Sequence, residues 1–420
     1  MQRLLRCLCM SGVLSACLVT GTFAQTPLTW QQVKDKFEAV NPTLRASQIS
    51  ISESRAQEVT AYLRPNPTLT AGLDQIDFFS DNPTHYAPFA EAFPSASIDY
   101  LHERRHKREL RLESAQQETN ITESQALDQE RTLLFNLRSA FIQTLQAKAV
   151  IELAKADLDY FDQELSIGRD RFKAGDISQL DLDRIELQRV QYESDYETAK
   201  VNLRTAKITL LTLLDDRTPV EQFDVTGPFT FSDQIGPLQG FRDVALQSRP
   251  DLKAALQTTD KAKVDYKLAV ANGSTDPTIS VDFARNPPIP VYMGFSVSIP
   301  LRIFDRNQGE KERTLLDIGH AQKLADATVA QVFSDVDSAH ATLTSNLNLL
   351  LPYRDKYLKL ATRVRDTMSF SYQHGAAALV DFLDAQRDYR AVQLAYINLV
   401  GAYLTAAGQL NLAVGREVIQ

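Results

Sequence analysis

Residues 102–106 read His-Glu-Arg-Arg-His, which matches H-E-x-x-H letter for letter. On a helix that spacing brings His102 and His106 to one face to hold zinc, with Glu103 as general base, the arrangement of a zinc metallopeptidase. The neighbouring residues oppose that chemistry. Arg104, Arg105, Lys107 and Arg108 crowd the same turn, and like charge repels a divalent cation. Such sites also need a third protein ligand, and no obvious motif supplies one. The segment reads better as a basic cluster for lipid head groups or a neighbouring chain. No catalytic residue, resident metal or cofactor is expected.

The elements around this cluster must be read from the whole chain. Its 420 residues carry 53 acidic and 45 basic side chains, a net charge of −8, which argues against a nucleic-acid partner. Arg3 and Arg6 open a short basic region, an apolar run follows to Val19, and Thr22-Phe23-Ala24 offers a small-residue cleavage site. This is the pattern of a secretory signal over residues 1–24, with Gln25 as the mature start. Cys7, Cys9 and Cys17, the only cysteines, all lie inside it, so disulfides and thiolate-bound metals are excluded from the mature chain. Leu14-Ser15-Ala16-Cys17 also has the form of a bacterial lipobox, so acylation at Cys17 is the alternative to cleavage after Ala24. Past the leader there is no run of 18 apolar residues, and no membrane-spanning helix is expected.

The chain is written twice. Asn41–Leu44 echoes Arg249–Leu252, and Asn66 onward echoes Asp276 onward. Residues 171–214 align with 371–414 without a gap, sharing Gly175/Gly375, Asp181/Asp381 and Tyr196/Tyr396. In the first copy a 3-4 spacing runs through Leu182, Ile185, Arg189, Tyr192, Tyr196, Ala199, Leu203, Ala206, Leu210 and Leu213. In the second it runs through Phe382, Ala385, Tyr389, Val392, Tyr396, Leu399, Tyr403, Ala406, Leu410 and Ala413. Only Arg189 breaks the apolar series. A seam kept over four heptads is a coiled-coil pattern. The plan is therefore a first repeat over 25–214, a Pro- and Gly-rich crossover at 215–241, and a second repeat over 242–420. No proline occurs between Pro94 and Pro219, and a helix from about Glu103 to Ile167 would extend roughly 95 Å. Asp176 or Ser178 is available to cap the next helix, and Pro352 should kink or split the matching helix of the second repeat.

Two segments alternate with period two. Ile279, Val281 and Phe283 alternate with polar or small residues, as do Val291, Met293, Phe295, Val297, Ile299 and Leu301. Each has about the length of a tilted membrane strand, apolar on one face only. A less regular hairpin spans 66–101, with Phe79, Tyr86 and Phe89 in its loop, and Pro94 should shift its register. Two hairpins make four strands, too few to close a barrel, and an open sheet cannot sit in hydrocarbon with unpaired edges. Several chains must share one barrel. A purely structural trimeric coiled-coil surface protein would use the heptads but not the amphipathic hairpins.

The order of helix, hairpin and long helix pair, repeated once, resembles the TolC family of outer-membrane efflux channels. The most specific stretch is Tyr372-Gln-His-Gly375 followed by Val380-Asp381-Phe-Leu-Asp384-Ala385. The resemblance implies a mixed α and β homotrimer: a twelve-stranded outer-membrane barrel continued by a long α-helical coiled-coil periplasmic barrel. It also implies a passive export duct in the outer membrane, docked by a periplasmic adaptor protein and an inner-membrane pump. The compact length is similar to that of the heavy-metal branch (CusC, CzcC). Asp381 and Asp384 match aspartates that ring the periplasmic aperture, where carboxylate rings favour cations. Tyr372 and Gly375 match the closed-tip latch. The family's arginine two residues after the glycine is Ala377 here, so the ionic part of that latch is missing or built differently.

Overall fold

The computed structural model describes residues 27–76, 78, 88–89, 92–286 and 289–419. The expected leader with Cys17, and Phe79 and Tyr86 of the first hairpin loop, lie outside the described residues. Helix α1 (Trp30–Val40) starts at a capping box between Thr29 and Gln32. Asn41 then accepts the N–H groups of Thr43 and Leu44 to start α2 (Pro42–Tyr62), whose first residue is a proline with no N–H to satisfy. Strands β1 (Thr68–Asp74) and β2 (Phe93–Leu101) follow, then the 68-residue α3 (Lys107–Ala174) and α4 (Gln179–Leu213). After a strap come α5 (Leu238–Ser248), α6 (Pro250–Asn272), β3 (Thr278–Asn286), β4 (Ile289–Ser298) and α7 (Gln308–Pro352). Pro352 interrupts the last of these as the sequence suggests. A π-helical turn at Tyr353–Tyr357 separates α7 from α8 (Leu358–Gln373), and α9 (Leu379–Val414) completes the chain.

The long helices pack on one another rather than on the sheet. Around the middle of α3, Val33, Phe37, Leu137, Phe141 and Leu210 bury Phe223 and Val225 of the strap. The strap is pinned to both cores: Leu28 and Val225 form a parallel bridge at the first, and the hydroxyl of Tyr403, in the second, donates to the carbonyl of Ser232 at 2.8 Å. A second core joins α5, α7 and α9 through Val336, Leu343, Leu350, Tyr403 and Leu410.

The four strands form one antiparallel sheet in the order β1-β2-β3-β4. The register lines Leu69, Ile98, Val281 and Phe295 in one row, with Tyr100, Ile279 and Val297 in a row of the same parity. Between these rows, Thr68, Asp99, Ser280 and Ser296 face the other way. The apolar face is bare: Leu69 is 70%, Phe295 72% and Val297 64% exposed. The expected register shift at Pro94 does not occur. Pro94 pairs with Leu73 in an unbroken ladder, beyond the last residue paired with β3, where a strand end tolerates its missing N–H. The irregularity lies instead between Ala284 and Asn286.

Strands become helices at a single corner. Arg105 and His106 take left-handed backbone angles, so α3 starts at Lys107 and not at Glu103 as its composition suggests. The Lys107 ammonium is 4% exposed and meets Asp276 Oδ2 at 2.5 Å and the Ser274 carbonyl at 3.0 Å. Asp276 Oδ1 accepts the Arg104 N–H at 2.9 Å, and the His102 N–H bonds to the Pro277 carbonyl. Arg111 grips Glu103 and reaches the carbonyls of Ala61 and Leu63 at the end of α2. The basic cluster read from the sequence is thus divided. Lys107 is spent inside the chain and Arg108 covers the Tyr62 ring at 4.3 Å, whereas Arg104 and Arg105 are exposed.

Removing one partner of a buried ion pair leaves the other charge uncompensated, at a cost of about 3–5 kcal/mol. Asp276→Ala should therefore lower the thermal midpoint sharply when unfolding is followed by circular dichroism. Pairing Lys107→Met with Asp276→Leu should recover most of the loss. Equal damage in the single and double variants would show that the pair is not what holds this corner.

Candidate functional site

The far ends of the long helices form the tip. Helix α3 ends at Gly175 (φ 83°), and α8 ends just before Gly375 (φ 74°). A side chain at either position would meet nothing, so the left-handed turn itself calls for glycine. Ser178 caps α4 by accepting the Asp181 N–H at 3.1 Å, whereas α9 starts at Ala378 with no side-chain cap. Leu165, Leu182, Ile185, Tyr372, Leu379 and Phe382 close the space between the two hairpins. Tyr372 stacks on Phe382 at 5.0 Å, and Phe161 stacks on Tyr192 at 4.2 Å.

Tyr372 and Gly375 therefore lie together in this turn, but the partner of Tyr372 is one the sequence did not reveal. The Arg171 guanidinium sits 4.9 Å over its ring and donates to its backbone carbonyl at 3.0 Å. An arginine from α3 thus approaches the tyrosine, in a tip where Ala377 replaces the arginine expected on α9's side. Burial pushes the Tyr372 phenol up, and its hydroxyl has no hydrogen-bond partner among the described residues. Beside it, buried Glu164 accepts from Gln373 at 3.0 Å and from Ser369 at 3.3 Å.

Asp381 and Asp384 are both exposed on the first turns of α9 and flank the fully buried Phe382, as the heptad seam suggests. Asp381 lies in the first helical turn, where a carboxylate complements the helix dipole. Asp384 is 3.1 Å from Arg387 on the same helix. His102 and His106, by contrast, are not on a helix: they flank the strand-to-helix corner, and Glu103 is clamped by Arg111. The geometry a zinc peptidase needs is absent from the corner itself.

A polar layer farther up the tip bundle was also not legible in the sequence. Asp157 of α3 and Asp195 of α4 face Arg390 of α9, with Arg365 of α8 close by. Arg390 Nη1 meets Asp195 at 2.5 Å and its Nε stays 3.8 Å from Asp157, and the Oδ2 atoms of both aspartates are buried without a hydrogen bond among the described residues. Burial therefore outweighs the arginines and the Asp157 carboxyl is pushed up to about 6, with Asp195 adding to the rise. Arg189, the misfit in the apolar seam, turns outward to Asp162 at 2.5 Å and Glu193 at 2.7 Å.

A carboxyl pushed up in the folded chain keeps its proton where the unfolded chain has lost it. Its contribution to stability is full below about pH 4 and is lost as the pH rises through about 6, amounting to about 3 kcal/mol. Asp157→Asn should remove that dependence. The wild type should lose stability relative to the variant as the pH is raised from 4 to 7 in parallel denaturant titrations. A constant offset between the two would refute the assignment.

Residues 242–416, which hold α9 and the tip turn, match the family described as outer membrane efflux protein. The pyoverdine export outer membrane protein OpmQ of Pseudomonas aeruginosa is 24% identical over 82% of this chain and 73% of its own. The cobalt-zinc-cadmium resistance protein CzcC of Cupriavidus metallidurans is 22% identical over 74% of each. Among solved structures, the channel CusC superposes with a TM-score of 0.78 over 92% of both chains at 18% identity. The resemblance to TolC-like channels read from the sequence therefore holds: the chain has the outer membrane efflux protein pattern across residues 242–416 and the fold of its solved channels over nearly its whole length.

Proposed function

We propose that three copies of this chain form an outer-membrane efflux duct: a twelve-stranded barrel continued by a periplasmic tunnel of coiled helices. The observation that carries this reading is the open four-stranded sheet, which has one bare apolar face and two unpaired edge strands, β1 and β4. In hydrocarbon those edges must find partners, and β4 of one copy beside β1 of the next satisfies both. The helices carry a matching signal. On α4, Leu180, Leu187, Val201 and Ile208 share one heptad position opposite the buried seam and are 59%, 71%, 63% and 48% exposed. An apolar stripe on each side of a helix needs a neighbour on each side, which a closed ring of helices supplies. Only 33% of the most apolar stretch of α9 is covered within one chain.

In this reading residues 1–24 direct export and are removed after Ala24, or cleavage before Cys17 leaves that residue as a lipid-modified N-terminus. The repeats 25–214 and 242–420 are joined by the crossover at 215–241. The duct is passive, not an enzyme, and takes its cargo from a periplasmic adaptor and an inner-membrane pump. Asp381 and Asp384 of three copies gather at the aperture and favour cations, which fits heavy-metal ions as cargo. Tyr372 and Gly375, with Arg171, hold the tip closed.

The protein should fractionate with the outer membrane as a detergent-stable trimer. In planar bilayers its pore should prefer cations, and Asp381→Asn with Asp384→Asn should reduce the cation-to-anion permeability ratio severalfold without dissociating the trimer. An unchanged ratio would reduce both residues to surface carboxylates. Deleting the gene should lower tolerance to cobalt, zinc or cadmium; unchanged tolerance would remove metal ions as the cargo.

A further inference from the structure

The four links between sheet and helices, at 63–67, 102–106, 273–277 and 299–307, all lie at one end of the sheet. Their charges are handled unevenly. Glu103 is taken by Arg111 and Asp276 by Lys107, and Asp305 accepts the N–H of Asn307. The guanidinium groups of Arg64, Arg104, Arg105, Arg302 and Arg306 take part in no ion pair among the described residues, and all but Arg302 are exposed. On a chain of net charge −8 this rim is left positive.

Apolar side chains accompany the arginines. Beyond the end of β4 the run continues through Ile299, Leu301, Ile303 and Phe304, which are 53%, 80%, 61% and 90% exposed. Ile299, Leu301 and Ile303 keep the sequence parity of the apolar residues of β4, and Phe304 falls between Arg302 and Arg306 in the chain. At the same end of the sheet a cleft of about 160 Å³ is lined by Arg64, Tyr100, His102 and Arg108, together with Glu103 and Glu109, whose carboxylates are already paired with Arg111 and Arg108. Tyr100 belongs to the apolar row of the sheet, so the cleft has an apolar side and a cationic side. Apolar band, then aromatic rings, then basic groups is the order met on passing from acyl chains to phosphates.

We infer that this rim binds the head groups of anionic phospholipids in the leaflet nearest the helices, with Phe304 among the acyl chains and the free arginines on the phosphates. The inference rests on the proposed membrane position of the sheet. It gives the opening motif a different use: His102 lines a head-group cleft and is not a metal ligand. A neighbouring copy would be a different occupant of the same arginines, and the test separates the two.

The assembled full-length protein in detergent is titrated with short-chain phosphatidylglycerol, phosphatidylcholine or inorganic phosphate while its thermal midpoint is followed. Phosphatidylglycerol should raise the midpoint, less so at high salt, and the other two should not. Changing Arg104, Arg105 and Arg306 together to Gln should weaken the phosphatidylglycerol response at least tenfold while the trimer stays intact in size-exclusion chromatography. Phe304→Ser, which keeps every arginine, should weaken retention on phosphatidylglycerol vesicles. Equal responses to phosphatidylcholine or to phosphate would overturn the inference, as would an undiminished response in the triple variant. Dissociation of that variant into monomers would assign the arginines to the neighbouring copy. Absence of the wild-type protein from the outer membrane would instead sink the underlying reading of the sheet.

Discussion

The buried pair of Lys107 and Asp276 fixes how the strands meet the helices, and the geometry of everything beyond depends on it. An ammonium that is 4% exposed is tolerable only with its carboxylate and a carbonyl in contact. Asp276 also takes the Arg104 N–H, so one side chain ties the end of β2, the start of α3 and the approach to β3. Helix α3 then runs for 68 residues, roughly 100 Å. Over such a lever a tilt of one degree at the corner moves the tip by about 2 Å. A loose corner would be incompatible with Arg171 of α3 meeting the Tyr372 carbonyl of α8 at 3.0 Å at the far end.

What could be read from the sequence was the part written in local periodicity. The unbroken α3, the Ser178 cap, the interruption at Pro352 and the one-sided strands all follow from residues within a few positions of one another. Tyr372 and Gly375 were singled out by the family resemblance and not by periodicity, and the structure places both at the second tip turn. Contacts between segments some 200 residues apart were not legible. Nothing near Arg171 announces that it will cover Tyr372, and nothing near Asp157 places Arg390 beside it. The corner misled in another way. His-Glu-Arg-Arg-His carries no mark that Arg105 and His106 adopt left-handed angles, so a letter pattern with helical meaning falls on a turn. Pro94 misled because its effect depends on whether a second strand lies alongside, which the local sequence does not encode.

The two tip hairpins are alike in path and unlike in how they are secured. A serine or threonine cap contributes about 1 kcal/mol over alanine. Helix α4 has that contribution from Ser178 and α9, beginning at Ala378, does not. The second hairpin is held instead by the stack of Tyr372 on Phe382 between its own two arms and by Arg171, which reaches across from α3. Its order therefore depends on contacts that can be exchanged, and it is the hairpin better suited to move.

The π-helical turn at Tyr353–Tyr357 has a consequence for angular phase. Before it, Val336, Leu343 and Leu350 recur every seven residues and are fully buried. After it, the inward positions are Leu358, Arg365 and Tyr372, again seven apart but one residue late. Tyr357 and Val364, which the earlier frame would point inward, are each 40% exposed. A π turn takes up one extra residue, equivalent to about 100° of rotation in an α-helix. Two heptad frames are thus spliced with their inward stripes on the same side of the bundle. Without the extra residue the inward stripe of α8 would bring Ser371, and not Tyr372, to the position that stacks on Phe382.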